Sequence, residues 1–454
     1  MNLKRITIRK IINRINYKID NGNFRKDKLL KIMENDQLDK QSLNFNRKHL
    51  YQILKYAYKN VPFYKQNYKE LAKLNSQNVY QIVKTLPLLS KEIILSQKEN
   101  IYKKNYKKEN YGWMNTGGST GEPLSFPTSY NYEDYHQKAL YEYITKKPYK
   151  NNLDKDGALI SFDGTAIPQE LKNKNEYWVK SSTGIYGSYN FSSFELNKET
   201  YKLYLNKLNE IQPKFFRGYT STICDLAKYI LNERVEIKFT LQGVYLTSEN
   251  INNDDVELLN TVFKCPVFGQ YGHSEISVFA WTKANSLTYH FSPFYGYTEI
   301  LDENGNDVEE GQIGEIVVTG FSNKPLPFIR YKTGDLAIKG KDSLPIPMVF
   351  TAQQLMGRTT DYLYDKNGKK VYCIGPIFGA HLHAFENIHS WQLEQNENGK
   401  IDVLINKLPA FSKDDENEIA KLFLNMNIDS NIIYTKEFKL SKRGKRKFIL
   451  QNVK

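Results

Sequence analysis

The sequence predicts an α/β protein, with a large N-terminal domain over residues 1–356 and a small α+β C-terminal domain over residues 357–454. Three observations predict it. After residue 110, short β-rich runs separated by Gly and Asn turns alternate with helical stretches such as 199–210 and 220–233, the texture of an α/β core. The last hundred residues carry hairpin and helix-cap signals of their own. The 454 residues, 40% hydrophobic and 13% aromatic, allow roughly two to three domains and a large buried core.

Taken in order, the first twenty residues set Ile8, Ile11, Ile12, Ile15 and Ile19 at helical spacing among Lys4, Arg5, Arg9, Lys10, Arg14 and Lys18. Two readings stand for this segment: a helix laid on the protein's own core, or a basic amphipathic helix in peripheral contact with an anionic membrane surface. Over 45–60, Leu50, Ile53, Leu54 and Ala57 share one helical face, and Pro62 is expected to stop the helix because proline cannot donate the helical bond. In the last part of the chain, Asn367-Gly368 between Tyr362-Leu363-Tyr364 and Val371-Tyr372 predicts a hairpin with positive φ at both turn positions. Asn398-Gly399 precedes a strand from Ile401 to Ile405, Ser412 with Asp415 caps a helix containing Ile419, Leu422 and Phe423, and Asn431 to Phe438 reads as a further strand. A boundary near residue 357 follows, and no internal repeat is apparent.

The net charge is +14, from 64 Lys plus Arg against 50 Asp plus Glu. Such a balance can signal nucleic acid or anionic membrane. Here the lysines are spread through a chain also rich in Asn, Ile and Tyr, with no basic stripe interleaved with stacking aromatics, so no nucleic-acid partner is expected. No stretch of 18 uncharged apolar residues occurs, and the N-terminus lacks the unbroken apolar run of a secretory signal. Cys224, Cys265 and Cys373 are odd in number and far apart, which argues against a disulfide framework or a cysteine zinc site. The expected location is cytoplasmic, at the inner membrane surface if residues 1–20 make the membrane contact.

The chemistry concentrates in a few strings. Asn115-Thr116-Gly117-Gly118-Ser119-Thr120-Gly121-Glu122-Pro123 has three glycines that let backbone N–H groups converge and three hydroxyls beside them, which suits a phosphate cradle; a polar hairpin reads equally well from this loop alone. It is neither a Walker loop nor GxGxxG. Gln270-Tyr271-Gly272-His273-Ser274-Glu275 offers an aromatic face, a hydroxyl and a carboxylate. Tyr331-Lys332-Thr333-Gly334-Asp335 places an acid at a turn, suited to a ribose diol. Gly357-Arg358-Thr359-Thr360-Asp361 follows, and Gly444-Lys445 lies in the basic tail Lys442 to Lys447.

In this order the strings resemble the adenylate-forming superfamily of acyl-CoA synthetases, firefly luciferase and peptide-synthetase adenylation domains. The likeness is greatest to its phenylacetate–CoA ligase-like branch and, within that, to capsule-polysaccharide (CapK-like) proteins. Lys55 to Tyr64 and Leu86 to Lys91 look like the branch's N-terminal signatures. The resemblance implies a multi-sheet N-terminal domain and a mobile C-terminal one, ATP and Mg²⁺ as cofactors, and CoA or another thiol, or an amine such as an amino-sugar precursor, as acceptor of the acyl group. It implies that Thr116, Gly117, Gly118, Ser119, Thr120 and Gly121 hold the β- and γ-phosphates, Tyr271 stacks on adenine, Ser274 contacts the α-phosphate and Glu275 holds the metal. Asp335 would bind the ribose with Arg358 helping, and Lys445 would neutralise charge on the α-phosphate. The acid pocket is expected to involve Arg217, Gly218, Tyr219, Thr220, Ser221, Thr247, Ser248 and Glu249, with His273 either touching substrate or filling space.

The chain departs from the family at Glu122, where many relatives have lysine, at Thr360 in the hinge position, and in a tail without the usual Pro-Arg-Thr lead-in, which leaves Lys442 and Lys447 as alternatives to Lys445. The expected function is ATP-dependent activation of a carboxylic acid as an acyl-adenylate, then acyl transfer to a thiol or amine in surface-polysaccharide biosynthesis. The rivals are an aryl-acid CoA ligase of catabolism and a non-catalytic scaffold relative.

Overall fold

The computed structural model describes residues 24–35, 38–108, 111–116, 124–128, 135–146, 158–181, 186–341, 346–359, 361–372, 377, 382–440 and 446–453. The basic segment 1–20, Gly117 to Pro123, Thr360, Cys373 and Ser441 to Lys445 lie outside the described residues.

The first long helix, Lys40–Asn60, starts earlier than its apolar stripe suggests because Asp39 caps it, accepting the Ser42 amide at 2.8 Å. It buries Phe45, Leu50, Ile53, Leu54 and Ala57. The helix ends at Asn60, just ahead of Pro62 as expected, and Pro62 has a second role. It opens a second helix, Pro62–Asn67, at the position where a missing N–H removes no helical bond, and the break falls on extended Val61.

One twelve-stranded sheet carries the large core. Tyr189–Ser192, Leu159–Asp163, Phe215–Gly218, Gly243–Thr247 and Val267–Gly272 lie side by side and run parallel. The intervening helices Tyr201–Ile211, Thr220–Asn232 and Asn253–Phe263 cover the sheet, so a strand such as Gly243–Thr247 is buried along its whole length. Beyond Val267–Gly272 the sheet turns antiparallel through Phe279–Thr282, Tyr289–Phe291, Thr351–Arg358, Tyr331–Lys339, Ile313–Gly320 and Gly296–Leu301. The carboxyl ends of the parallel strands border this change of direction, the place where open α/β sheets form a crevice.

The N-terminal signature strings turn out to brace the start of strand Tyr331–Lys339, third from one edge of the sheet. The Tyr64 hydroxyl donates to the Pro327 carbonyl, Leu89 N donates to Arg330 O at 2.9 Å, and Lys332 N donates to Leu89 O at 2.9 Å. Arg330, buried and in the left-handed region at φ 46°, forms a bidentate pair with Glu299 at 3.0 and 2.9 Å. Its remaining nitrogen donates to the carbonyls of Lys84 and Leu86 at 2.9 and 2.7 Å. These contacts over-determine a backbone conformation that costs free energy by itself. Burial pushes the Glu299 carboxyl above its ordinary value against the pull of Arg330. Arg330→Met should therefore lose about 3–5 kcal/mol of stability, since it leaves a buried acid unpaired. A raised folded-state pKa favours the folded protein below the unfolded value and loses that favour as pH rises, so the deficit should be larger at pH 8 than at pH 5. Urea titrations at both pH values measure it.

A second core gathers Leu363, Ile377, Ile388, Leu393, Ile401, Val403, Ile405, Ile419 and Phe423. Its sheet runs Asp429–Tyr434, Lys400–Lys407, Ile388–Glu397, Ile449–Gln451. Helix Lys413–Asn425 begins with the capping box read from Ser412 and Asp415. The Asn367-Gly368 hairpin forms between Leu363–Tyr364 and Lys370–Val371, but of the two only Gly368 has positive φ, 73°. The loop is longer than two residues and is organised by Asp365, whose carboxylate accepts the amides of Asn367 and Lys369 at 2.9 and 2.8 Å. Among the described residues no helix is long and apolar enough to cross a membrane.

Candidate active site

A cleft of about 3540 Å³ is lined by the strand ends of the large sheet on one side and by residues of the second core on the other. On the large side, strand pairing sets Asp335 opposite Arg358. Arg358 Nε donates to Asp335 Oδ1 at 2.9 Å and the Tyr271 hydroxyl donates to Asp335 Oδ2 at 2.8 Å, so residues from three strands meet at one carboxylate. The Asp335 carboxylate raises the already high pKa of Arg358, and burial pushes the Tyr271 phenol upward. Asp361 accepts the Arg358 amide at 2.9 Å; burial raises its carboxyl, opposed by Arg358 and by the charge of Lys447.

Glu275 lies just past the turn after Val267–Gly272. It is buried, accepts the Tyr331 hydroxyl at 3.1 Å, and has Oε2 3.1 Å from His273 Nδ1. Burial opposes ionisation, but His273, the residue's own amide and Tyr331 outweigh it and hold the carboxyl below its ordinary value. The His273–Glu275 contact is an ion-pair distance without an aligned hydrogen bond, and His273 Nε2 is buried with no hydrogen-bond partner. Ile276, which closes the turn onto His273 O at 3.2 Å, has φ 54°, a strained conformation for a β-branched residue and one that concentrates at functional turns. Each oxygen of Glu275 keeps a second lone pair. One protein carboxylate supplemented by substrate phosphates is a donor set that suits Mg²⁺.

Thr116 stands at the neck of a hairpin, Gly112–Asn115 paired with Ser125–Thr128. Its amide donates to Leu124 O at 2.9 Å and its hydroxyl accepts the Leu124 amide at 3.0 Å. Thr116 and the strand Gly112–Asn115 line the same cleft as His273 and Glu275.

The expected acid-pocket residues divide. Arg217, Thr220, Ser221, Thr247, Ser248 and Glu249 line the cleft. Tyr219 does not: it sits at the strand-to-helix junction, buried, with its hydroxyl near the Gly164 backbone. Glu249 and Ser221 engage each other, the carboxylate accepting the Ser221 amide at 2.8 Å and its hydroxyl at 3.1 Å near the N-terminus of helix Thr220–Asn232. Gly218 is needed for close packing, since a Cβ there would lie 2.3 Å from Phe162 O.

Across the cleft, helix Thr220–Asn232 grips the second core. Lys228 Nζ donates to the carbonyls of Ile388 and His389 at 2.9 and 2.7 Å, and Arg446 pairs with Asp225 at 3.1 Å. Burial lowers the Lys228 pKa. Leu440 bridges Arg446, and buried Gln392 donates to the carbonyls of Lys439 and Lys447 at 3.0 and 2.6 Å, closing the base of the segment that contains Lys445. Sequence reasoning missed Asp225, Lys228 and Arg446. A signal existed: Ser221, Asp225, Lys228 and Asn232 form a polar stripe on an otherwise apolar helix.

This architecture is the fold of the adenylate-forming CoA ligases. 2-Hydroxyisobutyryl-CoA ligase in its postadenylation state with R3-HIB-AMP superposes with a TM-score of 0.64 at 14% identity, covering 89% of this chain and 88% of the ligase. Its open conformation with 2-HIB-AMP and CoA superposes at 0.52, with 16% identity and coverage of 89% and 90%. In sequence the chain is a homologue of Protein CapK of Staphylococcus aureus, 27% identical over 437 residues that span 92% of this chain and 90% of CapK. No protein-family model matches the chain.

Proposed function

We propose that the protein joins a carboxylic acid to AMP at the expense of ATP and then passes the acyl group to a thiol or amine. The observation that carries this reading is the convergence of Tyr271, Asp335 and Arg358 on one side of a cleft that also exposes Ser274 and Glu275. A substrate carboxylate oxygen would attack the α-phosphorus of ATP, the bond from that phosphorus to the oxygen bridging to the β-phosphate would break, and pyrophosphate would leave. The acceptor sulfur or nitrogen would then attack the acyl carbon, losing its proton as AMP departs.

Asp335 would accept both ribose hydroxyls beside its ion pair with Arg358, and Tyr271 would cover the adenine. The loop on Thr116 would present amides to the leaving phosphates. Glu275 would hold Mg²⁺, which supplies charge neutralisation on the phosphates when bound. Such catalysis consists mostly of positioning and charge stabilisation. Residues 1–356 and 357–454 would act as a large domain and a mobile small one, a division supported by the two separate cores and the polar contacts between them. The adenylates and CoA held by the ligase of like fold support a thiol acceptor, and homology to CapK supports a place in capsule or surface-polysaccharide biosynthesis.

ATP–pyrophosphate exchange across a panel of acids tests the proposal. Acid-dependent exchange is expected, and CoA should consume the adenylate if the acceptor is a thiol. ATP binding without exchange for any acid would favour the scaffold reading.

A further inference from the structure

We infer that the acid taken by this cleft carries a second carboxylate, bound by Arg217 at the end away from the carboxyl that reacts. This deepens the adenylation reading and rests on it. Ser161, Arg217, Tyr245 and Phe268 are aligned partners on four neighbouring parallel strands, so their side chains share one face of the sheet. The Arg217 guanidinium lies over the Tyr186 ring at 4.4 Å and the Tyr245 ring at 5.9 Å. A planar, weakly hydrated cation stacks well on such rings, but stacking leaves its in-plane N–H donors unused.

Those donors are poorly supplied by the protein. Of the five, one meets the Ser161 hydroxyl at 3.4 Å, and Nε is buried with no hydrogen-bond partner. The carboxylates nearby are committed elsewhere. Asp163 accepts the hydroxyls of Thr165 and Ser161, and Glu249 accepts the amide and hydroxyl of Ser221. Two further buried polar atoms without partners, Gln270 Oε1 and Thr220 Oγ1, belong to residues lining the same cleft. Buried polar groups are almost always paired, and unpaired ones on Arg217, Thr220 and Gln270, besides those of His273, in one cleft call for a polar ligand. The guanidinium fork matches a carboxylate in two parallel bonds, the Thr220 hydroxyl can donate to the same group, and Gln270 Oε1 can accept from an amino or hydroxyl substituent on the acid.

The test compares pyrophosphate exchange for C4–C6 dicarboxylic acids, their monoamides and monocarboxylic acids of equal length, using the full chain. In the wild type the best diacid should exceed its monoamide and its monoacid in kcat/KM by at least about 100-fold, a floor below the roughly 10⁴–10⁵ by which sites built to pair a polar group reject analogues lacking it. Arg217→Met should erase that preference with ATP affinity unchanged, and Arg217→Lys, which keeps the charge without the fork, should restore part of it. Thermal melting of each variant reports whether it folds. A wild type that exchanges monoacids as well as diacids, or an Arg217→Met variant that keeps the diacid preference, overturns the inference while leaving adenylation standing. Absence of exchange with every acid, despite ATP binding, overturns the adenylation reading itself.

Discussion

Lys445→Ala should lose most pyrophosphate exchange, on the order of 10²–10³ in rate, while still passing the acyl group of chemically supplied acyl-adenylate to its acceptor. The magnitude is that of removing one preorganised donor from charge developing in a transition state. The split between half-reactions follows from where the tail is anchored. Gln392 ties Lys439 to Lys447 at its base, Leu440 bridges Arg446, and Arg446 is held to Asp225 of the facing helix. If a lysine on this segment reaches the α-phosphate only in an orientation that keeps those contacts, a domain motion after adenylation would withdraw it. Equal loss of both half-reactions would mean misfolding or a shared role. Lys447 acts electrostatically on Asp361, beside Arg358, so normal exchange in Lys445→Ala with loss in Lys447→Ala or Lys442→Ala would transfer the role to that lysine.

Asp335→Ala should weaken ATP binding at least about tenfold, read by calorimetry. A hydrogen bond to a charged group contributes roughly 1.5–3 kcal/mol, and about 1.4 kcal/mol is a factor of ten. The loss is compounded by what the carboxylate organises, since Arg358 Nε at 2.9 Å and the Tyr271 hydroxyl at 2.8 Å both end on it. Asp335→Asn preserves the shape and should fall between wild type and alanine. Unchanged ATP affinity in Asp335→Ala would remove this residue from the nucleotide site.

Much of the local structure was legible because local chemistry specifies it. The Ser412–Asp415 capping box, the turn at Gly368 and the stripe Leu50, Ile53, Leu54 and Ala57 depend on residues within two turns of one another. Pro62 was legible as the stop of the helix that ends at Asn60 but not as the first residue of the next one: proline forbids a helical bond behind it yet suits the first position of a new helix, and the extended backbone of Val61 separates the two. The Asn367-Gly368 turn was misjudged in type because Asp365, just outside it, captures two amides and lengthens the loop.

The sequence by itself singled out candidates for nucleotide chemistry: Tyr271, Ser274, Glu275, Asp335 and Arg358 stood out because they lie in motifs whose order resembles that of the adenylate-forming superfamily. Only the tertiary structure decided their partners. Arg330 looks like part of the same motif as Asp335, yet it is a buried strut to Glu299 and to the carbonyls of Lys84 and Leu86. Arg217 meets Tyr186 and Tyr245, and Asp225 meets Arg446 across 221 positions of chain. The physical reason is common to all three. A turn or a cap is satisfied by neighbours in sequence, whereas a cation drawn in from the surface meets whichever groups strand register and core packing deliver to it, and that choice is made by the whole chain at once.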